Sequence, residues 1–300
     1  MRKLKILTMS KHIFWISSYP KSGNTLVRAI IASLFFSRDG KFQFDQLKHT
    51  TQFESRNRLN LIKEINKEDF LNLDQLKVLS KYWLTLQKKE NMKINKGFGF
   101  VKSHSSYVSI LNNWFTDSSN TAGYIYIVRD PRDVTISWAK HANLTFDESI
   151  NFMVDFKSCI EWAQVKSELP EHIKPRTFLS SWDEHVGSWV NNDLLVPKLI
   201  LKYEDLVYKK KEALNNIIDF FEKNFQINFK LSKTKINNII TTTEFKELKL
   251  QESQVGFKEA QSGPFFRKGK KNQWKNILNV QQINILENKF RDFMDKFGYD

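Results

Sequence analysis

The sequence predicts an α/β fold: a single domain with a central, mainly parallel sheet flanked by helices, and a P-loop-like phosphate-binding turn after the first strand. Three observations carry this. Apolar runs of strand length recur at residues 13–17, 99–102, 124–128 and 198–202. Each is followed by a turn or by apolar residues at helical spacing, an alternation that favours parallel strands joined by crossovers. The first run leads directly into Tyr19-Pro20-Lys21-Ser22-Gly23-Asn24-Thr25-Leu26, which reads as strand, turn and helix start.

The turn locates the chemistry. A helix N-terminus leaves backbone N–H groups unpaired and carries partial positive charge, so an anion is stabilised against it. Lys21 adds a full charge, Ser22 and Thr25 add hydroxyl donors, Gly23 permits close backbone approach and Pro20 stiffens the entry. The segment is an anion site, read as one for a nucleotide. It is not a Walker A loop, because Lys21 precedes the glycine and no upstream glycine exists, so an ordinary P-loop NTPase is disfavoured. Residues 27–36 continue as helix. Residues 39–95, rich in Lys, Asn, Gln and Leu, show no clear strand and read as a helical and loop insertion. The second strand ends at Ser103-His104 and the third at Arg129-Asp130. Ligands collect at the carboxyl ends of such strands, so both are expected to converge on the turn. Helical spacing returns at 134–141, 147–166, 211–223 and 280–297.

The 300 residues are 41% hydrophobic, contain no repeat or low-complexity linker, and are read as one domain, with residues 1–10 as an N-terminal extension. The formal charge of +14 favours anionic partners without choosing among nucleic acid, membrane surface, acidic glycan and polyanionic cofactor. One cysteine, Cys159, excludes an intramolecular disulfide and a thiolate zinc cluster, which fits a reducing, cytoplasmic setting. Neither a membrane span nor a signal peptide is recognisable. Met9, just before the first strand, is an alternative start to Met1.

A second anion signal follows the third strand in Arg129-Asp130-Pro131-Arg132-Asp133, with Ser137 along the helix that Pro131 begins. Arg129 is able to grip a phosphate through two N–H groups or to pair with a neighbouring Asp. A third cluster, Phe266-Arg267-Lys268-Gly269-Lys270-Lys271, precedes Trp274-Lys275-Asn276. Alone it reads as a solvated charge run or a nucleic-acid patch.

In this order the three segments resemble those of the sulfotransferases that use 3′-phosphoadenosine 5′-phosphosulfate (PAPS). The resemblance implies that Lys21, Ser22, Gly23, Asn24 and Thr25 bind the 5′-phosphosulfate. It implies that Arg129 and Ser137, with Arg267, Lys268 and Gly269, bind the 3′-phosphate. Tyr203, in Tyr203-Glu204-Asp205, and Thr243 with Phe245 resemble family positions near the adenine. Phe100-Val101-Lys102-Ser103-His104 resembles the family's Lys-Thr-His strand end, which makes His104 the implied catalytic base; His12, His49, His141 and His172 lack equivalent support, and His185, although able to reach a substrate, reads in preference as a helix-surface or core residue. The anchors run from residue 13 to residue 276.

Two positions depart from the family pattern. Leu26 stands where many members have a tryptophan packed on adenine, so Phe245 is expected to carry more of that contact. Asn272-Gln273 replaces Gly-Asp, and Asn tolerates the left-handed backbone such a turn needs. The mechanism implied is in-line attack of an acceptor hydroxyl or amine on sulfur, His104 taking the proton and adenosine 3′,5′-bisphosphate (PAP) leaving. Lys21 and Lys102 would stabilise the charge. No essential metal is expected, because no carboxylate cluster has metal-ligand spacing. The alternatives are an ATP-dependent small-molecule kinase, a basic nucleic-acid-binding module, and a sulfotransferase-like protein that binds nucleotide without turnover. With sulfuryl transfer as the reading, the partner is a small-molecule or glycan acceptor rather than nucleic acid, shaped by residues 39–95 and 144–195. Phe42, Phe44, Phe53 and Trp83 read as core in preference to pocket lining. Oligomeric state is left open, a homodimer included.

Overall fold

The computed structural model describes residues 11–60, 65–72, 74–162, 170–260 and 263–299. The N-terminal extension and the alternative start at Met9 lie outside them. The strands are β1 (Ile13–Ser18), β2 (Thr50–Gln52), β3 (Gly99–Ser103), β4 (Ser109–Ile110), β5 (Asn113–Trp114), β6 (Thr121–Val128), β7 (Cys159–Glu161), β8 (Arg176–Phe178) and β9 (Lys198–Lys202). A five-stranded sheet has the order β2-β3-β1-β6-β9, while β4-β5 and β7-β8 form separate antiparallel pairs. β1 runs parallel to β3, in register from Ile13 opposite Gly99 to Ser17 opposite Ser103. Every residue of β1 and of β6 is buried, as expected of strands covered on both faces. β2 lies at one edge with only three residues, a length that limits unwanted edge pairing. It falls inside the 39–95 insertion, where no strand was expected, because three polar residues carry no alternating apolar signal.

The helices are α1 (Asn24–Phe36), α2 (Arg56–Asn60), α3 (Asp69–Asn72), α4 (Gln75–Ser80), α5 (Trp83–Leu86), α6 (Lys89–Met92), α7 (Pro131–Ala142), α8 (Phe146–Val154), α9 (Trp182–Val190), α10 (Tyr203–Tyr208), α11 (Lys210–Phe225), α12 (Lys233–Thr242), α13 (Phe245–Val255) and α14 (Val280–Phe297). The helix expected over 147–166 is shorter. Thr145 and Glu148 form a capping box that starts α8, and the extended backbone of Asp155 ends it at Val154. The apolar residues beyond it enter β7, whose partner β8 is distant in sequence.

The chain packs as two compact units. One comprises the described residues of 11–17, 51–126 and 156–198. Its core includes Trp15, Phe53, Trp83 and Phe115, all at most 2% exposed, with Phe53 and Phe115 edge to face at 5.4 Å. Phe53 and Trp83 are core, as expected. The second unit comprises 18–50, 127–155 and 199–300. There Phe35 of α1 meets Phe221 of α11 and Phe229 edge to face, each at 4.9 Å. α7 starts on Asp130, which accepts from the Arg132 N–H at 2.9 Å, with Pro131 at the first helical position.

The same Asp130 anchors the buried Arg132 side chain through Nε–Oδ1 at 3.0 Å and Nη2–Oδ2 at 2.9 Å. Arg132 also donates to Glu287 of α14 and to the Tyr299 carbonyl, and lies over the Trp274 ring at 3.8 Å. One guanidinium thus joins α7, α14 and the Trp274 turn, and removing it strands a buried carboxylate. Arg132→Leu is expected to destabilise the chain by about 3–5 kcal/mol, read as a lower urea midpoint; an unchanged midpoint would contradict this role.

Candidate active site

The turn between β1 and α1 is left-handed at Lys21, φ 65°, and at Gly23, φ 101°. A Cβ on Gly23 would stand 2.6 Å from Cδ2 of Tyr203, so both the dihedral and the neighbouring ring demand glycine. α1 starts with no side-chain cap and no acidic residue in its first turn. Arg129, 5% exposed, donates from Nη1 to the Lys21 carbonyl at 2.9 Å and lies over the Tyr203 ring at 4.2 Å. Lys21, Gly23, Arg129 and Tyr203 are therefore one packed group. The Ser22 hydroxyl and the Arg129 Nε are buried with no hydrogen-bond partner among the described residues. A buried donor left unmade costs about 1–3 kcal/mol, and an oxyanion accepts from both. The group fits a phosphate or sulfate.

Asp133 on α7 accepts from the Gln273 and Trp274 N–H groups at 2.9 and 3.2 Å. Burial pushes its carboxyl up, and the Arg129 charge opposes that. The turn it holds begins at Asn272 with φ 58°, the left-handed conformation expected of that residue. Arg267 and Lys268, with Lys270, Lys271, Asn272 and Gln273, line a cleft of about 600 Å³. Burial and the charge of Arg129 push Arg267 down, while burial and repulsion from Arg267 and Lys268 push Lys140 down. Positive charge is thus concentrated near Lys140 in the last turn of α7, the helix that carries the half-buried Ser137.

Gly269, φ 59°, packs directly against the Phe245 ring, so part of the surface expected to meet adenine is already covered. Leu26 is buried. Thr243 is buried and its carbonyl accepts from Lys210, whose ammonium burial pushes down to about 8. Lys21 Nζ lies 4.0 Å over Phe265, part of an aromatic group with Phe44, Phe257 and Phe266. Phe44, expected in the core, is half-buried there. Glu259 accepts from Arg28 at 2.6 Å and more weakly from Thr25 Oγ1 at 3.5 Å.

In the other unit, Lys102 is buried near the end of β3 and His104 is half-buried just beyond it. The His104 N–H donates to Glu54 Oε1 at 3.0 Å, and Ser103 Oγ donates to the same oxygen at 2.6 Å. Burial pushes the Glu54 carboxyl up, with the Ser103 hydrogen bond opposing. On the other side, His185 Nε2 lies 2.9 Å from the His104 carbonyl and Nδ1 lies 2.8 Å from the Tyr126 hydroxyl. A carbonyl only accepts, so Nε2 carries the hydrogen and Tyr126 donates to Nδ1. Burial holds the His185 pKa down at about 4, which keeps the ring neutral. His185 has the core placement expected of it, and its bond to His104 was not foreseen. Glu54 was missed altogether: a lone acid in a segment without periodicity, meeting its partners some fifty residues on, leaves no local trace. Among the described residues no group of three His, Cys, Asp or Glu is arranged to hold a metal.

The sulfotransferase domain family model matches residues 11–298. This chain belongs to that family. Amine sulfotransferase of Oryctolagus cuniculus is 21% identical over 95% of this chain and 83% of that protein. Sulfotransferase 2A2 of Rattus norvegicus is 27% identical over 60% of this chain, and the matched region spans only 59% of that relative's length. Among solved structures, mouse sulfotransferase SULT7A1 complexed with PAP has a TM-score of 0.55 at 18% identity, covering 95% of this chain and 84% of that one. Retinol dehydratase in complex with androsterone and inactive cofactor PAP has a TM-score of 0.60 at 19% identity, covering 96% and 83%. These likenesses establish the shared fold.

The neutral His185 has a consequence for stability. Its folded pKa of about 4 lies below the ordinary 6.5. Between those values the unfolded chain takes up a proton that the folded chain refuses, so stability falls as pH drops through the window, by roughly 3 kcal/mol in total. Glu54 acts in the opposite sense, because its raised pKa adds stability as pH falls toward 4.5. His185→Gln does not titrate. The stability difference between native chain and His185→Gln, from urea unfolding, is expected to shift toward the variant between pH 6.5 and 4. A pH-independent difference would contradict it.

Proposed function

We propose that this member of the sulfotransferase family transfers the sulfuryl group of PAPS to a hydroxyl or amine of a small-molecule acceptor. The observation that carries the reading is the packed group at Gly23, where Ser22 Oγ and Arg129 Nε are buried donors beside Lys21 with no partner among the described residues. The PAP in the two structural neighbours supports the same choice of ligand. Lys21, Ser22, Gly23, Asn24 and Thr25 would hold the 5′-phosphosulfate, and Arg129, Ser137, Arg267, Lys268 and Gly269 the 3′-phosphate. Leu26, Tyr203, Thr243 and Phe245 would bound the nucleoside. When bound, PAPS supplies an activated sulfuryl group. Lys21 and Lys102 offset the negative charge that develops on oxygen, and His104 accepts the proton of the attacking hydroxyl or amine. The reaction needs positioning and charge stabilisation from these residues, without a resident metal.

The name of the rabbit relative supports including amines among the acceptors. A glycan hydroxyl as acceptor, a cytoplasmic setting and a single functional domain belong to the same proposal, with the oligomeric state left open. No helix among the described residues is long and apolar enough to cross a membrane. The test is transfer of label from ³⁵S-PAPS to a panel of phenols, alcohols and alkylamines. Labelled product is expected for at least one class. His104→Ala should lower turnover by about 10²–10⁴ with PAP affinity unchanged within twofold. Absence of product across the panel would count against the activity, and full turnover by His104→Ala would remove the base.

A further inference from the structure

The chain after β3 leaves the sheet ladder; the Ser106 N–H donates to the Phe178 carbonyl at 2.9 Å, and side chains within the same unit take over other peptide groups on either side of it. Glu54 accepts from the His104 N–H, and His185 donates to the His104 carbonyl. Trp189 Nε1 donates to the Ser105 carbonyl at 2.9 Å, and the Tyr107 N–H donates to Ser188 Oγ at 3.1 Å. His185, Ser188 and Trp189 are spaced i, i+3, i+4 and so share one face of α9. The Ser188 hydroxyl is itself oriented by donating to the His185 carbonyl at 2.8 Å. His185 and Trp189 are fully buried, as is Tyr126, which fixes the His185 tautomer. The anchors are therefore short of water to compete with them and have few rotamers to choose from.

We propose that this face of α9, with Glu54 opposite, is a cradle that positions His104 for proton transfer. The proposal rests on the reading of His104 as the base. His185, Ser188, Trp189 and Glu54 are positioning residues: they hold the backbone at 104–107, and the imidazole extends from a peptide fixed at both its N–H and its C=O. An anchor needed only for global stability would lower the unfolding midpoint without singling out this loop. A cradle acts through His104, so its loss changes the loop and the chemical step together.

The test compares His185→Leu, which removes both ring nitrogens, with His185→Gln, which keeps an N–H near the Nε2 position. Amide hydrogen exchange is followed in the full chain by NMR. The His104 and Tyr107 amides are expected to exchange at least tenfold faster in His185→Leu while amides of β1 and β6 are unchanged, with His185→Gln within about threefold of native. Ser188→Ala, a smaller change, should accelerate Tyr107, and it keeps the test decisive if His185→Leu does not fold. With PAPS and the acceptor found by the panel, kcat of His185→Leu should fall 10–100-fold, with KM for PAPS and PAP affinity within twofold and substantial recovery in His185→Gln. In a His104→Ala background the same substitution should cost nothing further. Unchanged exchange at 104–107, or an equal loss of kcat with and without His104, overturns the cradle. Full turnover by His104→Ala alone would instead remove the base reading, and exchange would then decide whether the loop is gripped as proposed.

Discussion

The constraint on which the phosphate turn depends is the reversal of the chain between β1 and α1 with no side chain at Gly23. The left-handed backbone at Lys21 and Gly23 brings the Tyr203 ring within 2.6 Å of where a Cβ would stand. Tyr203 then supplies the face on which Arg129 rests, and Arg129 in turn ties the Lys21 carbonyl. Around this group Asp133 fixes the Trp274 turn and Glu204 accepts from the Asp130 N–H at 3.3 Å. Positions far apart in sequence thus become one packed group, because each uses the previous one as its support.

At the His104 loop the backbone groups of one residue are satisfied by protein side chains, whereas two side-chain donors at the β1–α1 turn are not. Ser22 Oγ and Arg129 Nε have no partner among the described residues, and the cations Arg267 and Lys140 repel one another, costs that the anion of the proposed function would offset. Around His104 both backbone groups have protein partners.

Much of this was legible in the sequence. The β1 turn, the Pro131 helix start and the 280–297 helix carry local signals: a glycine between strand and helix, a proline suited to the first helical turn, and regular apolar spacing. β9 matched its apolar run, and the ends of β1, β3 and β6 differed by at most three residues. What stayed hidden depended on contacts between distant residues. β2 exists because a sheet edge was available, β7 because β8 pairs with it, and Glu54 matters because β3 brings Ser103 and His104 to it. The coverage of Phe245 by Gly269 was equally invisible, since a glycine in a basic run says nothing about which ring it meets.

The central claim, an anion site built for a nucleotide with a 3′-phosphate, is tested most directly by calorimetric titration of the purified chain with PAP, 5′-AMP and magnesium-ATP. Metal-independent PAP binding at least tenfold tighter than 5′-AMP, and a preference lost in Arg129→Ala, is the result expected. Equal affinity for PAP and 5′-AMP, or binding of magnesium-ATP alone, would contradict it.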